Sequence, residues 1–128
     1  MKPYFGNIEK ETLDNTDYRR VLYTGPQMQL VVMSLKVGEE IPQEQHDDID
    51  QFIRVEKGSA YVKIDEEEFT LSDDDVVIVP SGTKHYVKNT SETEDLKVYT
   101  IYTPAEHEDG TVHKTFEEAK EAEHHHHH

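Results

Sequence analysis

Four histidines hold the reactive capacity of this 128-residue chain: His46, His85, His107 and His113. The sequence contains nine, but residues 124–128 are an unbroken histidine run, the pattern of a purification tag, and are set aside. There is no cysteine, so thiolate metal sites and disulfide frameworks are both excluded. Imidazole, carboxylate and amide oxygen are the donors that remain. His46 sits in the acid-rich stretch GEEIPQEQHDDIDQFIRVEKG (38–58), and His85 in DDVVIVPSGTKHYVKN (74–89). Asp47, Asp48 and Asp50 crowd the turn after His46, where they read as a solvated face rather than a hard-cation site.

What must position these groups is a series of short strands. Apolar strings and turn residues alternate at roughly ten-residue intervals from Val21 to Tyr102. Strands are expected over 21–23, 29–37, 51–55, 60–64, 69–71, 76–79, 85–88 and 96–102. The run VVIV (76–79) is continuous, as in a strand covered on both faces or lining a barrel. Alternation from Gln51 turns Ile53 and Val55 inward and Phe52 and Arg54 outward. Helix is scarce: one weak turn over 7–12 and a short terminal helix over 115–123, where Thr115 and Glu118 match a capping box. The reading is all-β, a sandwich or barrel, in one domain spanning 1–123.

The two histidine segments together resemble the two signature motifs of the cupin superfamily. In the second motif Pro80, Gly82, His85 and Asn89 all match, and only the opening Gly is replaced, by Asp74. In the first, Gly38 and Gly58 frame the motif, His46 takes the second His position, Glu44 the first and Gln51 the Glu position. The resemblance implies a small jelly-roll β-barrel of two antiparallel sheets with a short C-terminal helix. It also implies four positions, Glu44, His46, Gln51 and His85, converging on one divalent transition metal. Strand periodicity agrees, since Glu44 and His46, two apart, face one side. Gln51 is open between direct ligation and a hydrogen bond to bound water, and a Gln there is also one way for a cupin to lose its metal. Mixed N/O donors suit Zn, Ni, Fe, Mn or Co, and Glu44, His46 and His85 alone make the donor set of non-haem iron oxygenases. Cupins of this size are often described as sugar-isomerase-like and commonly dimerise.

Composition narrows the partners. Thirteen basic against twenty-eight acidic residues give a formal net charge of -15. Such a surface repels phosphate backbones and anionic headgroups, so neither nucleic acid nor membrane is expected as a partner. Met1 leads into polar sequence and no apolar run reaches ~18 residues, so a cytoplasmic location is expected. Outward Phe52 beside Arg54 suits a homodimer contact. His107 and His113 flank the turn Asp109-Gly110 on an expected exposed loop, the alternative being a lid folded over the barrel mouth. Two functions remain open. One is a metal-dependent enzyme, isomerase-like or oxygenase-like, acting on a small polar molecule; the other is a non-catalytic domain that binds or senses a small ligand.

Overall fold

The computed structural model describes residues 1–126, so the end of the histidine run 124–128 lies outside the described residues. In chain order the elements are α1 (Ile8–Asp14), β1 (Arg19–Thr24), β2 (Gln29–Leu35), β3 (Glu40–Gln45), β4 (Asp50–Lys57) and β5 (Ala60–Ile64). Then come β6 (Glu67–Leu71), β7 (Val76–Val79), β8 (Lys84–Asn89), β9 (Leu96–Thr103), β10 (Val112–His113) and α2 (Phe116–His126). One sheet runs β10-β1-β2-β9-β4-β7 and the other β3-β8-β5-β6, with every pairing antiparallel. This is the expected jelly-roll barrel.

Period-two patterning decides what faces the interior. Along β9, Leu96, Val98, Thr100 and Tyr102 are buried while the residues between them are half-exposed. On β4, Gln51, Ile53 and Val55 point in, and Phe52 and Arg54 point out, stacked on Tyr99 as an aromatic pair and a cation–π contact. From the facing sheet come Ala60, Val62, Ile64 and Val87. Each large apolar side chain buried this way stabilises by roughly 1.5–3 kcal/mol, so no disulfide is needed.

The structure refines three expectations. VVIV lines the barrel, the second of its two expected settings, but as an edge strand: β7 pairs only with β4, Val77 and Val79 pack inward, and Val76 and Ile78 are 46% and 63% exposed. A continuous apolar run cannot by itself distinguish an edge from a sheet covered on both faces. The structure adds β3, which apolar strings do not reveal because EIPQEQ carries proline and few apolar residues, and the two-residue β10. Finally, α2 runs beyond residue 123. Its capping box forms in modified register: Glu118 N donates to Thr115 Oγ1, while Lys114 N, rather than the cap's own amide, donates to Glu118 Oε2. Phe116 meets Tyr18 edge-on at 5.5 Å and Ala119 is buried, so α2 closes one end of the barrel. No helix among the described residues is long and apolar enough to cross a membrane.

Backbone geometry explains the motif residues outside the ligand positions. At Gly58 φ is +118°, and a Cβ there would lie 3.1 Å from Asp95 O and 3.2 Å from Leu96 Cα, so only glycine fits. Asp74, standing where the second motif has glycine, also adopts a left-handed φ of 72°. Asp tolerates that region better than most residues, and its carboxylate accepts a bond from Arg54 Nη2 at 2.9 Å.

Candidate metal centre

A bulge in β3 brings the donors together. Ile41 pairs with Val87 and Glu44 with His85, so three steps along β3 match two along β8. The extra residue falls at Pro42 or Gln43, and Pro42, with no N–H to give a ladder, is at home in a bulge. Without it, Ile41 and Glu44 would face opposite sides; with it, both turn toward the interior. His46 follows just beyond β3, and its carbonyl accepts Gly82 N at 2.8 Å. Ser81 N donates to Asp50 Oδ1 at 2.8 Å, so the turn before His85 is fastened to the loop after His46 at two points. Asp47, Asp48 and Asp50 themselves are exposed, as expected of a solvated face.

Donor atoms of Glu44, His46 and His85 lie within 4.8 Å of one another. Ligands at ~2.1 Å from one ion are separated by at most about twice that bond, so small adjustments would complete a site. His46 Nε2 lies 2.8 Å from Glu44 Oε2 without the alignment of a hydrogen bond. His85 is 2% exposed, and its Nδ1 is buried without a partner. Gln51, 3% exposed on β4, gives Nε2 to Thr100 Oγ1 at 3.0 Å and leaves Oε1 buried and unpartnered. Its cross-strand neighbour Tyr102 lies 6.4 Å, ring to ring, from His46. Orphaned buried polar atoms cost about 1–3 kcal/mol each, and a cation held by the Glu44, His46 and His85 donors would relieve those that face it. The residues therefore fit a metal.

The segment after β9 contradicts the exposed-loop expectation. Glu106 and His107 fold back over the barrel, and Gln29, fully buried at the start of β2, pins them there. Gln29 Oε1 accepts Glu106 N and His107 N at 3.2 and 3.0 Å, and its Nε2 donates to the His107 carbonyl at 2.8 Å. Glu106 Oε2 thereby reaches His46 Nδ1 at 3.2 Å. His107 packs on Tyr102 at 5.2 Å, while His113 Nδ1 accepts from Arg19 Nη1 at 3.2 Å. Sequence reading missed Glu106, Gln29 and Arg19; no local signal marks a glutamate, glutamine or arginine whose partners lie on distant strands.

Burial and charge set the protonation pattern. Burial acts to raise the Glu44 carboxyl, but His46 and Arg19 outweigh it and hold it below the usual range. The Glu44 contact raises His46, against burial and with Glu106 adding. Burial lowers His85, and it takes His107 down to about 3 with help from the Arg19 charge. The metal-free protein should accordingly be most stable near the ordinary histidine value of ~6.5. Above it, stability present at lower pH is lost as His46 gives up its proton through its raised value. Below it, the unfolded chain protonates at positions 85 and 107 while the native one does not, which also removes stability. Urea melts of metal-free protein from pH 5 to 9 check this; a monotonic rise through pH 8 contradicts it.

A carboxylate on the far nitrogen of a ligating histidine orients the ring and raises its basicity. Glu106→Gln should weaken metal binding by about 10–100-fold with little change in melting of the metal-free protein. Competition titration measures it, and unchanged affinity would mean that the Glu106 contact does not act on His46.

A cupin-domain family model matches residues 31–102. An uncharacterised Bacillus subtilis protein, YrkC, is 42% identical over 128 residues, covering 95% of this chain and 68% of its own. An uncharacterised protein of Acanthamoeba polyphaga mimivirus is 46% identical over 112 residues, covering 85% of this chain and 70% of its own. The crystal structure of BH2720 from Bacillus halodurans superposes with a TM-score of 0.91 at 40% identity, over 94% of this chain and 95% of that chain. The barrel and its Glu/His cluster thus define a class of protein, and the chain belongs to the cupin family.

Proposed function

We propose that this cupin is a metal-dependent enzyme acting on a small polar molecule at the barrel mouth. Glu44, His46, Gln51 and His85 hold one divalent transition metal of the Zn, Ni, Fe, Mn or Co group. The observation that carries the reading is the convergence of Glu44, His46 and His85 donor atoms within 4.8 Å of one another, with His85 Nδ1 buried and unpartnered. Such an ion supplies Lewis acidity toward a carbonyl or hydroxyl, or lowers the pKa of a bound water. The chain's own part is positional. Glu106 fixes His46, Gln29 holds the 106–107 segment over the opening, and buried Tyr102 with half-buried His107 packed on it limits water. A half-buried carboxylate at the rim favours catalysis over simple binding, because Glu106 lines the cavity in which a small molecule would sit.

The test uses tag-free protein grown in metal-supplemented medium, assayed for metal content, for dioxygen uptake and for isomerisation of small sugars and acids. One equivalent of metal with turnover supports the reading. Metal without turnover on any substrate moves the protein to the ligand-binding alternative, and no metal at all overturns the site.

The same reading includes a homodimer. On the outer face, Ile78, Phe52 and Ile101 stand in one row across β7, β4 and β9, with Ile78 63% exposed. A row of that kind favours a partner, and the charge of -15 per chain opposes one, so association should strengthen with salt. Sedimentation at micromolar concentration and ~0.15 M salt is expected to show dimer; monomer throughout, or a dimer lost on adding salt, refutes it.

A further inference from the structure

Arg19 is an internal charge that Glu44 and Glu106 balance only from a distance. It lies on the inward row of β1, opposite Met33, and is only 4% exposed. Arginine stays charged inside proteins and brings five N–H donors. Here Nη1 is bonded to His113 Nδ1, the guanidinium lies 5.4 Å from the Tyr18 ring, and Nε is buried with no hydrogen-bond partner. Among the described residues no carboxylate comes within 4.0 Å of it. A buried charge left in that condition costs several kcal/mol unless something pairs with it.

The same guanidinium borders a cavity of about 400 Å³, walled by Arg19, Glu106, His107, Thr111 and His113, with Glu123 of α2 at its edge. This space adjoins the metal cluster. Glu106 lines it and touches His46, while Arg19 and Glu123 also border a narrow cleft that contains Glu44. The volume is at the small end for a ligand pocket. Its charges are arranged in depth: the arginine is buried at the floor, Glu106 is half-buried, and Glu108 and Glu123 are exposed at the mouth. A polyanion would be repelled at the rim. A molecule with one carboxylate, and hydroxyl or ammonium donors on the rest, satisfies both ends.

We propose that this cavity binds a small monocarboxylate, a hydroxy acid or an amino acid, whose carboxylate pairs with Arg19 and whose donor groups face Glu106 and the metal cluster. Carboxylate–guanidinium pairing is charge-assisted and suits the arginine fork; Thr111 Oγ1, which gives its proton to Glu108 O at 2.7 Å, remains an acceptor for a ligand donor, and His113 holds the guanidinium in place. The inference rests on the proposed barrel-mouth site and names the substrate class that site would take. It also explains why a chain so acidic keeps one arginine internal.

The experiment is a chemical-shift titration of tag-free protein with lactate, glycerate and alanine, each run against its amide, on metal-free and metal-loaded samples. Arg19→Gln and Arg19→Lys are titrated alongside, with metal content and thermal melting recorded for each. At least one acid should bind wild type tenfold or more tighter than its amide, with shifts at Arg19, Thr111 and His113. Arg19→Gln should lose that preference, Arg19→Lys should keep part of it, and metal content should stay at one equivalent. Amides binding as well as acids, no acid perturbing those residues, or Arg19→Gln binding as wild type would each overturn it. The acid-against-amide comparison needs no variant, so it stands even where Arg19→Gln fails to fold. Carboxylate binding by protein that takes up no metal when metal is supplied would sink the proposed metal site and leave this inference standing; metal uptake without carboxylate binding would do the reverse.

Discussion

His46→Ala and His85→Ala, each in tag-free protein, are expected to lose stoichiometric metal binding. Only two nitrogen donors are present in the cluster, and each variant removes one. Losing a partner that merely orients a ligand costs about 10–100-fold in affinity, so losing the ligand should cost more than ~100-fold. Stability reports the same event. Metal at 100 times its Kd stabilises by about 2.7 kcal/mol, which for a domain of this size raises Tm by roughly 10 °C. Wild type should show that rise and both variants should show none. Their metal-free behaviour should differ from the usual core truncation. At position 85 alanine leaves a cavity but also removes a buried nitrogen without a partner, and these effects oppose each other. At position 46 alanine removes the ion pairs to Glu44 and Glu106, so that variant should melt lower when metal-free, most visibly near pH 6.5. If either variant keeps one equivalent of metal at wild-type affinity, that histidine is not a ligand.

The parts of this site that were legible in sequence are those whose spacing is set by one turn or one strand. Pro80, Gly82, His85 and Asn89 belong to a single turn-and-strand unit, and each has a local task. Asn89, for instance, donates to Leu35 O and Glu94 O and accepts Ser91 N, fastening the end of β8. Glu44 was found by spacing while its strand was missed, because Pro42 and the polar residues of EIPQEQ hide the period that the bulge in any case breaks. Edge or centre was not legible for β7, since VVIV is compatible with both and only pairing decides. The groups that complete the site were invisible for a different reason. Glu106 matters through His46, Gln29 through the backbone of 106–107, and Arg19 through the cavity beside it, and each of those contacts is made by chain closure across the barrel. A sequence pattern records the period of an element, not which distant side chain it will meet.

Gln51→Glu is expected to move metal-free and metal-loaded protein in opposite directions. In the metal-free protein the new carboxylate would be buried on β4 beside the Thr100 hydroxyl, with Glu44 as a like-charged occupant of the same interior. Burying an under-partnered polar group costs about 1–3 kcal/mol, and charge adds to that, so this form should melt lower. With metal the sign reverses. Glu44 alone leaves a divalent ion a net local charge of about +1, and a second carboxylate brings it to about zero. An ionised oxygen attracts a dication more strongly than an amide does, so affinity should rise tenfold or more, about 1.4 kcal/mol. The metal would then be a weaker Lewis acid, with a higher pKa for its bound water. The natural glutamine therefore exchanges affinity for polarising power, an arrangement useful to a catalyst and of little use to a storage protein. Competition titration of wild type, Gln51→Glu and Gln51→Ala, with melts of each in chelator and in metal, separates the cases. Equal affinity in all three would mean that residue 51 does not reach the ion, and the ligand set would contract to Glu44, His46 and His85. Weaker binding by Gln51→Glu would instead place a further negative charge already at the metal, with Glu106, 3.2 Å from His46, as the nearest source.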